Sequence, residues 1–250
     1  METLVVGAGA MGRWFARTVD GDVAFADADP DAADAAATAV GGRSVPLDAD
    51  GRFDAVCVAV PISAGEAAIA EHAPKATRAV LDVTGVMAGS VAAMAEHAPD
   101  AERASLHPMF APERAPGRVA VVRDAAGPVT DAVLDDVRAA GNEVYETTPT
   151  EHDAAMETVQ AGAHAAVLAF ALAADDVPEG LRTPVYDGLA DLASQVTGNE
   201  PRVYAEIQET FDGAEAVADA ARRIADADAE AFAALYEAAG GTADAAGGDG

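Results

Sequence analysis

The chain has 250 residues, 51% of them hydrophobic, and a formal net charge of −28 at pH 7. This length can bury a hydrophobic core, and it fits one large domain or one domain with a smaller appendage. The negative charge excludes nucleic acid and anionic membrane surfaces as expected partners, because both would be repelled at low salt.

The acidic residues are spread along the whole chain. The 43 Asp and Glu are scattered between alanines rather than gathered into a tail, and Lys75 is the only lysine. This distribution is typical of the solvated surface of a protein from an organism with high internal salt. In molar salt the Debye length falls to about 3 Å, so repulsion within such a surface is screened. We therefore predict a halophilic protein.

The single cysteine and the first residues indicate the compartment. Cys57 stands in an apolar run, which predicts a buried strand residue and excludes a disulfide framework or a thiolate metal cluster, so we expect no metal. The start at Met1 has no basic region or cleavage site, and no apolar run approaches the ~20 residues of a membrane span. The sequence predicts a cytoplasmic protein without membrane attachment.

The first half of the chain alternates short apolar runs with alanine-rich helical stretches. This alternation is typical of an α/β fold with a doubly wound, mainly parallel sheet and crossover helices. Two similar segments place His72 and His97 at the predicted ends of crossover helices, where a histidine faces the helix dipole favourably. The predicted strands are 4–6, 23–26, 54–60, 79–83, 104–106, 119–122 and 143–145.

Strand patterns stop after residue 150, and a second, all-helical domain is predicted to begin there. Thr150, Thr183 and Asn199 mark helix starts by their capping side chains or the prolines that follow them. The final stretch is almost only Gly, Ala and Asp, which cannot bury enough apolar surface to become ordered. The predicted helices lie at about 151–175, 184–196, 201–217 and 217–238. The predicted domains are therefore 1–149 and 150–239, followed by a disordered tail at 240–250.

A glycine-rich turn follows the first predicted strand and opens a helix. Gly7, Gly9 and Gly12, with Ala10 and Met11 before the third glycine, match the dinucleotide fingerprint in the context that it requires. The first glycine allows the tight turn, the second lets the backbone approach the pyrophosphate, and the third packs helix against strand. The anion then rests on the helix N-terminus. The turn predicts a Rossmann-type dinucleotide-binding domain.

Acidic residues after the second predicted strand indicate which dinucleotide binds. Asp27 ends that strand twenty positions after Gly7, where a carboxylate can accept hydrogen bonds from the adenosine ribose. Asp29 and Asp31 follow, and no arginine occurs until Arg43. A 2′-phosphate would meet like charges there, so NAD is predicted rather than NADP. The alternative for Asp29 and Asp31 is that they only start the next helix.

Two segments are predicted at the carboxyl edge of the sheet, where open α/β folds bind ligands. Val60 and Pro61 follow one strand and are expected to shape the cofactor wall. His107 leaves another strand, is held extended by Pro108, and would project toward the nicotinamide. A neutral imidazole is a natural base for an alcohol that loses hydride from the same carbon. A structural histidine with satisfied hydrogen bonds is the alternative.

The first helix of the second half carries polar residues at every fourth position. His152, Gln160 and His164 share one stripe of this helix with Met156. Buried polar groups need hydrogen-bond partners, so two imidazoles and an amide on one face predict the lining of a pocket. Packing against a core is the alternative, and Met156 fits it well.

These residues resemble the prephenate/arogenate dehydrogenase family. The resemblance rests on the glycine turn, on residues 54–61, on the segment 107–110 and on His152-Asp153 with the stripe that follows. It covers most of the chain in the expected order, and the two histidine segments are specific in combination. It implies an NAD-binding domain, a helical domain that forms a homodimer, an active site in the cleft between them, and His107 as catalytic base.

The resemblance also implies a reaction, the oxidative decarboxylation of prephenate to 4-hydroxyphenylpyruvate in tyrosine biosynthesis. His107 would draw the proton from the ring 4-hydroxyl while hydride passes to NAD. Carbon dioxide would then leave the quaternary ring carbon, and the gain of aromaticity would drive this loss.

The chain departs from the family pattern in two segments, the first of which also has Met87 where lysine is frequent. Gly85 stands where family members usually have serine, so the hydroxyl that orients the histidine is expected from Thr84. Gln195 stands where many members have an arginine that clamps a substrate carboxylate. A dianionic substrate still needs cations, and Arg182 and Arg202 are the expected candidates in the second half.

Three alternatives remain open at this stage. The nearest is the same chemistry on arogenate, which would yield tyrosine directly. A two-domain reductase acting on an imine or a 3-hydroxy acid is more distant, since such enzymes lack the two histidine segments. A non-catalytic NAD sensor, in which a helical dimer reports redox state, would need the glycine turn but not His107.

Overall fold

The computed structural model describes residues 1–246, with side chains for residues 1–241. The chain divides into two structural units, Met1–Ala155 and a second unit that begins at Met156. The first unit contains an eight-stranded sheet with its crossover helices, and the described part of the second unit is helical.

The sheet of the first unit is mainly parallel. Its strands are β1 (Glu2–Val6), β2 (Asp22–Ala26), β3 (Arg43–Ser44), β4 (Phe53–Val58), β5 (Ala76–Asp82), β6 (Glu102–Pro108), β7 (Arg118–Ala125) and β8 (Glu143–Glu146). Their spatial order is β3-β2-β1-β4-β5-β6-β7-β8, and β6 with β7 is the antiparallel pair. This confirms the α/β, doubly wound fold. The carboxyl ends of β1, β2, β4, β5 and β6 therefore share one edge, where such folds bind ligands.

Each of the seven predicted strands is present, and most extend beyond their predicted bounds. The sequence analysis missed β3, which contains only Arg43 and Ser44 and pairs with β2 at the sheet edge. Two residues are too few to show an alternating apolar pattern, so sequence periodicity cannot detect such a strand.

The helices of the first unit cover both faces of the sheet. They are α1 (Ala10–Thr18), α2 (Pro30–Val40), α3 (Gly65–His72), α4 (Met87–His97), α5 (Pro128–Ala139) and α6 (Pro149–Met156), the last of which reaches the unit boundary. His72 and His97 end α3 and α4, as predicted. Phe15, Phe25 and Leu106 are fully buried in the core beneath them.

The described part of the second unit contains five α-helices after a π-helical segment, Glu157–Gly162. They are α7 (Ala163–Ala173), α8 (Pro184–Thr197), α9 (Pro201–Thr210), α10 (Gly213–Asp226) and α11 (Ala229–Ala246).

The breaks between α9, α10 and α11 differ from the sequence prediction, which had two helices meeting at residue 217. Gly213 begins α10 and lies so close to the π-helical segment that a side chain there would overlap the carbonyl of Glu157. Asp228 caps α11, because its carboxylate accepts the N–H of Ala231 at 2.9 Å. Tertiary packing and a local cap thus place the breaks.

α11 continues into the residues for which the sequence predicts a disordered tail. It includes residues 240–246, where alanine, the strongest helix former, is frequent. The remaining four residues of that predicted tail, 247–250, lie outside the described residues.

One helical stretch, Pro149–Ala173, is long and apolar enough to cross a membrane by length and composition. Only about a tenth of its most apolar part is buried. This differs from the expectation that no apolar run approaches a span. A single helix of this kind is weak evidence for a membrane protein, and this one contains a π-helical interruption and two histidines.

Candidate active site

The glycine turn at the end of β1 has the geometry of a phosphate cradle. Gly7 has a φ of 103°, and a side chain there would overlap the carbonyl of Ala59. A side chain on Gly12 would overlap the carbonyl of Gly7. Gly9, the N-cap of α1, has nothing within 4 Å of where its Cβ would stand. The first and third glycines are required by the fold, and the second leaves open space in front of the helix.

Asp27 holds this turn in place. Its Oδ2 accepts the N–H of Ala8 at 2.7 Å, and its Oδ1 accepts the N–H of Asp29 at 2.9 Å. Arg13 binds the other backbone polar group of the same residue, since its Nη1 donates to the carbonyl of Ala8 at 2.7 Å. The sequence analysis did not assign Arg13 to the turn, because a motif pattern does not show where a long side chain folds back.

The other acidic residues after β2 follow the simpler alternative. Asp29 caps α2, accepting the N–H of Asp31 at 3.0 Å, and Asp31 lies in the first turn of that helix. Both are exposed, so they also leave negative charge beside Asp27.

Val60 and Pro61 follow β4 at the same edge of the sheet. Val60 is half-buried beside Gly7, and Pro61 is exposed and leads into a short 3-10 turn, Ile62–Ala64. This places both residues next to the glycine turn, where the sequence analysis expects the wall of the cofactor site.

His107 lies near the end of β6 and is 8% exposed. It stands opposite Ala120 of β7 in the antiparallel pair. The segment behind it is anchored on α1, since the ring of Phe110 meets the edge of Trp14 with 5.6 Å between centroids. The imidazole is therefore held on the same sheet edge as the glycine turn.

Three side chains form a hydrogen-bonded chain that begins at this imidazole. Nδ1 of His107 lies 2.8 Å from Nε2 of His152, and Nδ1 of His152 lies 2.8 Å from Oδ1 of Asp153. His152 is only 3% exposed. The sequence analysis predicted that His152 binds substrate, and this stays a prediction; the structure places its Nε2 within hydrogen-bond distance of His107.

The Asp153 carboxylate is bound to the first turn of α4. Its Oδ1 accepts the N–H of Met87 at 3.1 Å, and its Oδ2 accepts the N–H of Ala88 at 2.9 Å. Burial opposes the charge of this carboxyl group, but its hydrogen bonds to His152, Met87 and Ala88 together lower its pKa. The carboxylate therefore stays ionised beside the two imidazoles.

The pKa of His107 is lowered to about 3. The main cause is burial, which disfavours the imidazolium; proximity to His152 lowers the pKa further, and Asp153 opposes both effects. His107 is therefore neutral at physiological pH, which is the state required of a proton acceptor.

The second nitrogen of His107 faces the turn between β5 and α4. A Cβ on Gly85 would stand 3.3 Å from Nε2, and Gly85 has a φ of 90°. This backbone conformation strongly favours glycine. A side chain here would strain the turn and crowd Nε2 of His107.

The hydroxyl of Thr84 lies between two polar side chains. Its hydroxyl donates to Oδ2 of Asp82 at 2.5 Å and lies 3.1 Å from Oγ of Ser90. Asp82 is fully buried, and burial raises its pKa, so the surrounding hydroxyl groups are needed to stabilise its charge. Thr84 thus holds the turn before Gly85 through Asp82, and its predicted role in orienting His107 stays a prediction.

In the second unit, the polar residues of the predicted stripe lie on different kinds of helix. Gln160 belongs to the π-helical segment, whereas His164 lies on α7 and meets the ring of Tyr204 with 4.7 Å between centroids. Burial lowers the pKa of His164. Tyr204 and Leu168 help to line an apolar pocket within this unit.

The other three predicted substrate-binding residues lie on the surface of the second unit. Gln195 is exposed on α8. Arg202 pairs with Glu206 at 2.9 Å, and Arg182 donates to the carbonyl of Val177 at 3.0 Å. Both arginines keep much of the guanidinium accessible, so these contacts leave hydrogen-bond donors for an anion.

Comparison with known sequences shows what part of the first unit is similar to. Residues 13–123 match the family described as prephenate dehydrogenase, nucleotide-binding domain. The 4-amino-4-deoxyprephenate dehydrogenase of Streptomyces pristinaespiralis is 33% identical over 125 residues, which is 46% of this chain and 42% of that protein. The match thus spans less than half the length of that relative.

Two solved structures share the fold along nearly the whole chain. Prephenate dehydrogenase from A. aeolicus, in complex with hydroxyphenyl propionate and NAD+, has a TM-score of 0.71 at 17% identity and covers 98% of each chain. Synechocystis arogenate dehydrogenase has a TM-score of 0.61 at 17% identity and covers 98% of this chain and 99% of that one. At such low identity the likeness shows the fold.

Proposed function

We propose that this chain is an NAD-dependent dehydrogenase of the prephenate dehydrogenase family, whose nucleotide-binding domain matches residues 13–123. Its reaction is the oxidative decarboxylation of prephenate to 4-hydroxyphenylpyruvate, a step in tyrosine biosynthesis. The observation that carries this proposal is the neutral, buried His107 on the sheet edge that also holds the glycine turn.

The residues of the first unit fit a bound NAD. The N–H groups of Ala10 and Met11 at the start of α1, with the open space at Gly9, would receive the pyrophosphate. Asp27 keeps accepting capacity for ribose hydroxyls, because each of its oxygens accepts one hydrogen bond in the structure. When bound, NAD supplies the hydride acceptor.

Charge around Asp27 supports NAD over NADP. Asp29 and Asp31 surround it with negative charge, and Arg43, the first arginine after them, is paired with Glu2 at 2.7 Å. A 2′-phosphate would therefore approach like charges, and this arginine already has an acidic partner.

We further propose that the substrate is prephenate. Prephenate carries two carboxylates, and we assign them to polar residues of the second unit: Gln160, His164, Gln195, Arg182 and Arg202. Arogenate, which differs in its side-chain amino group, is the main alternative. The Streptomyces pristinaespiralis relative is named a 4-amino-4-deoxyprephenate dehydrogenase, so 4-amino-4-deoxyprephenate is a third substrate to test.

We also propose that the chain is a cytoplasmic, salt-adapted homodimer assembled through the second unit. Leu172, Leu181, Val185 and Tyr236 are each more than 70% exposed there, and a partner subunit would remove this apolar surface from water. The net charge of −28 suits a protein that works in concentrated salt, where its repulsion is screened.

The test is an assay in molar KCl that follows NADH formation with each of the three substrates, using NAD and NADP in turn. The proposal expects the highest kcat/KM with prephenate and NAD. A preference for arogenate or for the 4-amino compound would change the substrate assignment. Absence of turnover with all three, together with retained NAD binding, would favour the sensor alternative.

A further inference from the structure

We infer that His152 and Asp153 form a proton relay behind His107, which holds the substrate's hydroxyl proton within the protein during each turnover. This role rests on the dehydrogenase activity proposed above. In this relay Asp153 is a positioning residue: it acts on the base through His152 and does not need to touch the substrate.

The direction of the hydrogen bonds follows from Asp153. An ionised carboxylate only accepts hydrogen bonds, and both oxygens of Asp153 accept backbone N–H groups from the first turn of α4. Nδ1 of His152, 2.8 Å from Oδ1, must therefore carry a hydrogen and donate it. In neutral His152, Nε2 is then the acceptor.

This assignment determines the tautomer of His107. Since Nε2 of His152 accepts, Nδ1 of His107 at 2.8 Å must donate to it. The lone pair of neutral His107 is therefore on Nε2, the nitrogen that faces Gly85. Asp153 thus decides, through one intermediate ring, which nitrogen of His107 can accept a proton.

The relay also lowers the energetic cost of placing a positive charge near the buried base, His107. His107 is a poor place for a positive charge, because the ring is buried and another imidazole lies beside it. Transfer of the second proton to His152 moves this charge next to the Asp153 carboxylate, 2.8 Å away. The N-terminus of α4 stabilises that carboxylate in turn. An ion pair within the relay therefore replaces an isolated buried imidazolium.

The proton transfers balance without an external acid or base. The O–H bond of the ring hydroxyl breaks as a bond to Nε2 of His107 forms, and the hydrogen on Nδ1 passes to Nε2 of His152. The electron pair of the ring C–H bond would leave as hydride, for which bound NAD would supply the acceptor. When the aromatic product forms, its oxygen regains a proton by the reverse transfers, so the relay returns to its starting state.

Few other ionisable groups surround the relay in the described part of the chain. Gly85 in the facing turn and Ala120 on β7 carry no charge. Asp82 ends the neighbouring strand β5, but its carboxylate is bound by Thr84. His152 and Asp153 are the charged or ionisable groups that shift the pKa of His107.

The first experiment reads the tautomers directly and needs no substrate. ¹⁵N NMR of the histidine side chains in molar KCl should show His107 protonated on Nδ1 and His152 protonated on Nδ1. In Asp153→Asn, the amide can donate to His152, which would reverse both tautomers in a fraction of the molecules. A wild-type His107 protonated on Nε2, or tautomers unchanged by Asp153→Asn, would overturn the relay.

The second experiment measures how the relay affects turnover. Asp153→Asn should lower kcat by about 10² to 10⁴, as a wrong tautomer does in other relays that end in aspartate, and leave the NAD dissociation constant unchanged. Glu151→Gln is the matched control, since Glu151 is an exposed carboxylate on the same helix, bound to Thr148. It should keep wild-type kcat.

The two proposals fail in distinguishable ways. If the wild-type protein oxidises none of the three substrates but shows the expected tautomers, the proposed function is wrong and the hydrogen-bond assignment stands. If the protein is active and Asp153→Asn keeps kcat within twofold, the relay is wrong and the dehydrogenase stands.

Discussion

Nδ1 of His107 and Nε2 of His152 lie 2.8 Å apart, although 45 residues separate them in the sequence. β6 supplies one ring and α6 the other, and both rings are buried. Each imidazole therefore satisfies a hydrogen-bonding nitrogen of the other. The histidine predicted as a base is thus oriented by a histidine predicted to bind substrate.

Replacement of the base should abolish most turnover. We expect His107→Asn to lower kcat by about 10² to 10⁴, the usual contribution of a positioned general base. NAD binding should not change, because the glycine turn is left intact. His97→Asn, at the end of α4, is the control and should retain wild-type kcat. An active His107→Asn protein would contradict the assignment of the base.

The same variant should alter how stability depends on pH. The pKa of His107 is about 3 in the folded protein and near 6.5 when unfolded, so only the unfolded state binds this proton at intermediate pH. The free energy of unfolding should fall as pH drops below about 6.5, by at most about 1.4 kcal/mol per pH unit from this residue.

Urea unfolding at two pH values within this window tests that expectation. The wild-type protein should lose more stability on acidification than His107→Asn. His72 and His164, whose pKa values are also lowered by burial, are present in both proteins, so their contribution cancels. Equal losses in the two proteins would contradict the buried, neutral state of His107.

A side chain at Gly85 should damage both stability and activity. We expect Gly85→Ala to cost on the order of 1 to 2 kcal/mol, because φ is 90° there, and to lower kcat because the new Cβ stands 3.3 Å from Nε2 of His107. Urea unfolding and steady-state kinetics measure the two effects. Gly188→Ala on α8 is a control with open surroundings and should raise stability by about 0.5 to 1 kcal/mol.

Asp27 should decide the choice of cofactor. We expect Asp27→Asn to raise KM for NAD about tenfold or more, because a charged hydrogen-bond acceptor for the ribose is lost. Discrimination against NADP should shrink at the same time. Asp29→Asn is matched in chemistry but keeps the cap of α2, so its KM for NAD should stay near the wild-type value. Equal effects of the two variants would argue against a specific role for Asp27.

Salt should stabilise the folded protein. With a net charge of −28, self-repulsion is strong in dilute buffer and is screened as the Debye length shrinks from about 10 Å at 0.1 M to about 3 Å at 1 M. We expect Tm to rise steeply with KCl in thermal unfolding monitored by circular dichroism. A Tm that does not change with KCl would contradict the halophilic assignment.

Patterns among residues that are close together in the sequence predicted most of the fold. Apolar runs separated by helical stretches predicted seven of the strands of the sheet, and the spacing of Gly7, Gly9 and Gly12 predicted a turn whose steric needs the structure confirms. The sequence could not place the two-residue strand β3 or the breaks around α10, because packing decides them and no local period marks them.

The sequence alone determined the α/β fold class, the glycine turn and the presence of a histidine at the end of β6, because backbone geometry and apolar period are properties of neighbouring residues. Only the tertiary structure decided that His152 binds His107 and that Asp153 binds the start of α4. The partner of a buried polar group is whatever the fold places opposite it, and in this site the deciding atoms come from different strands and helices.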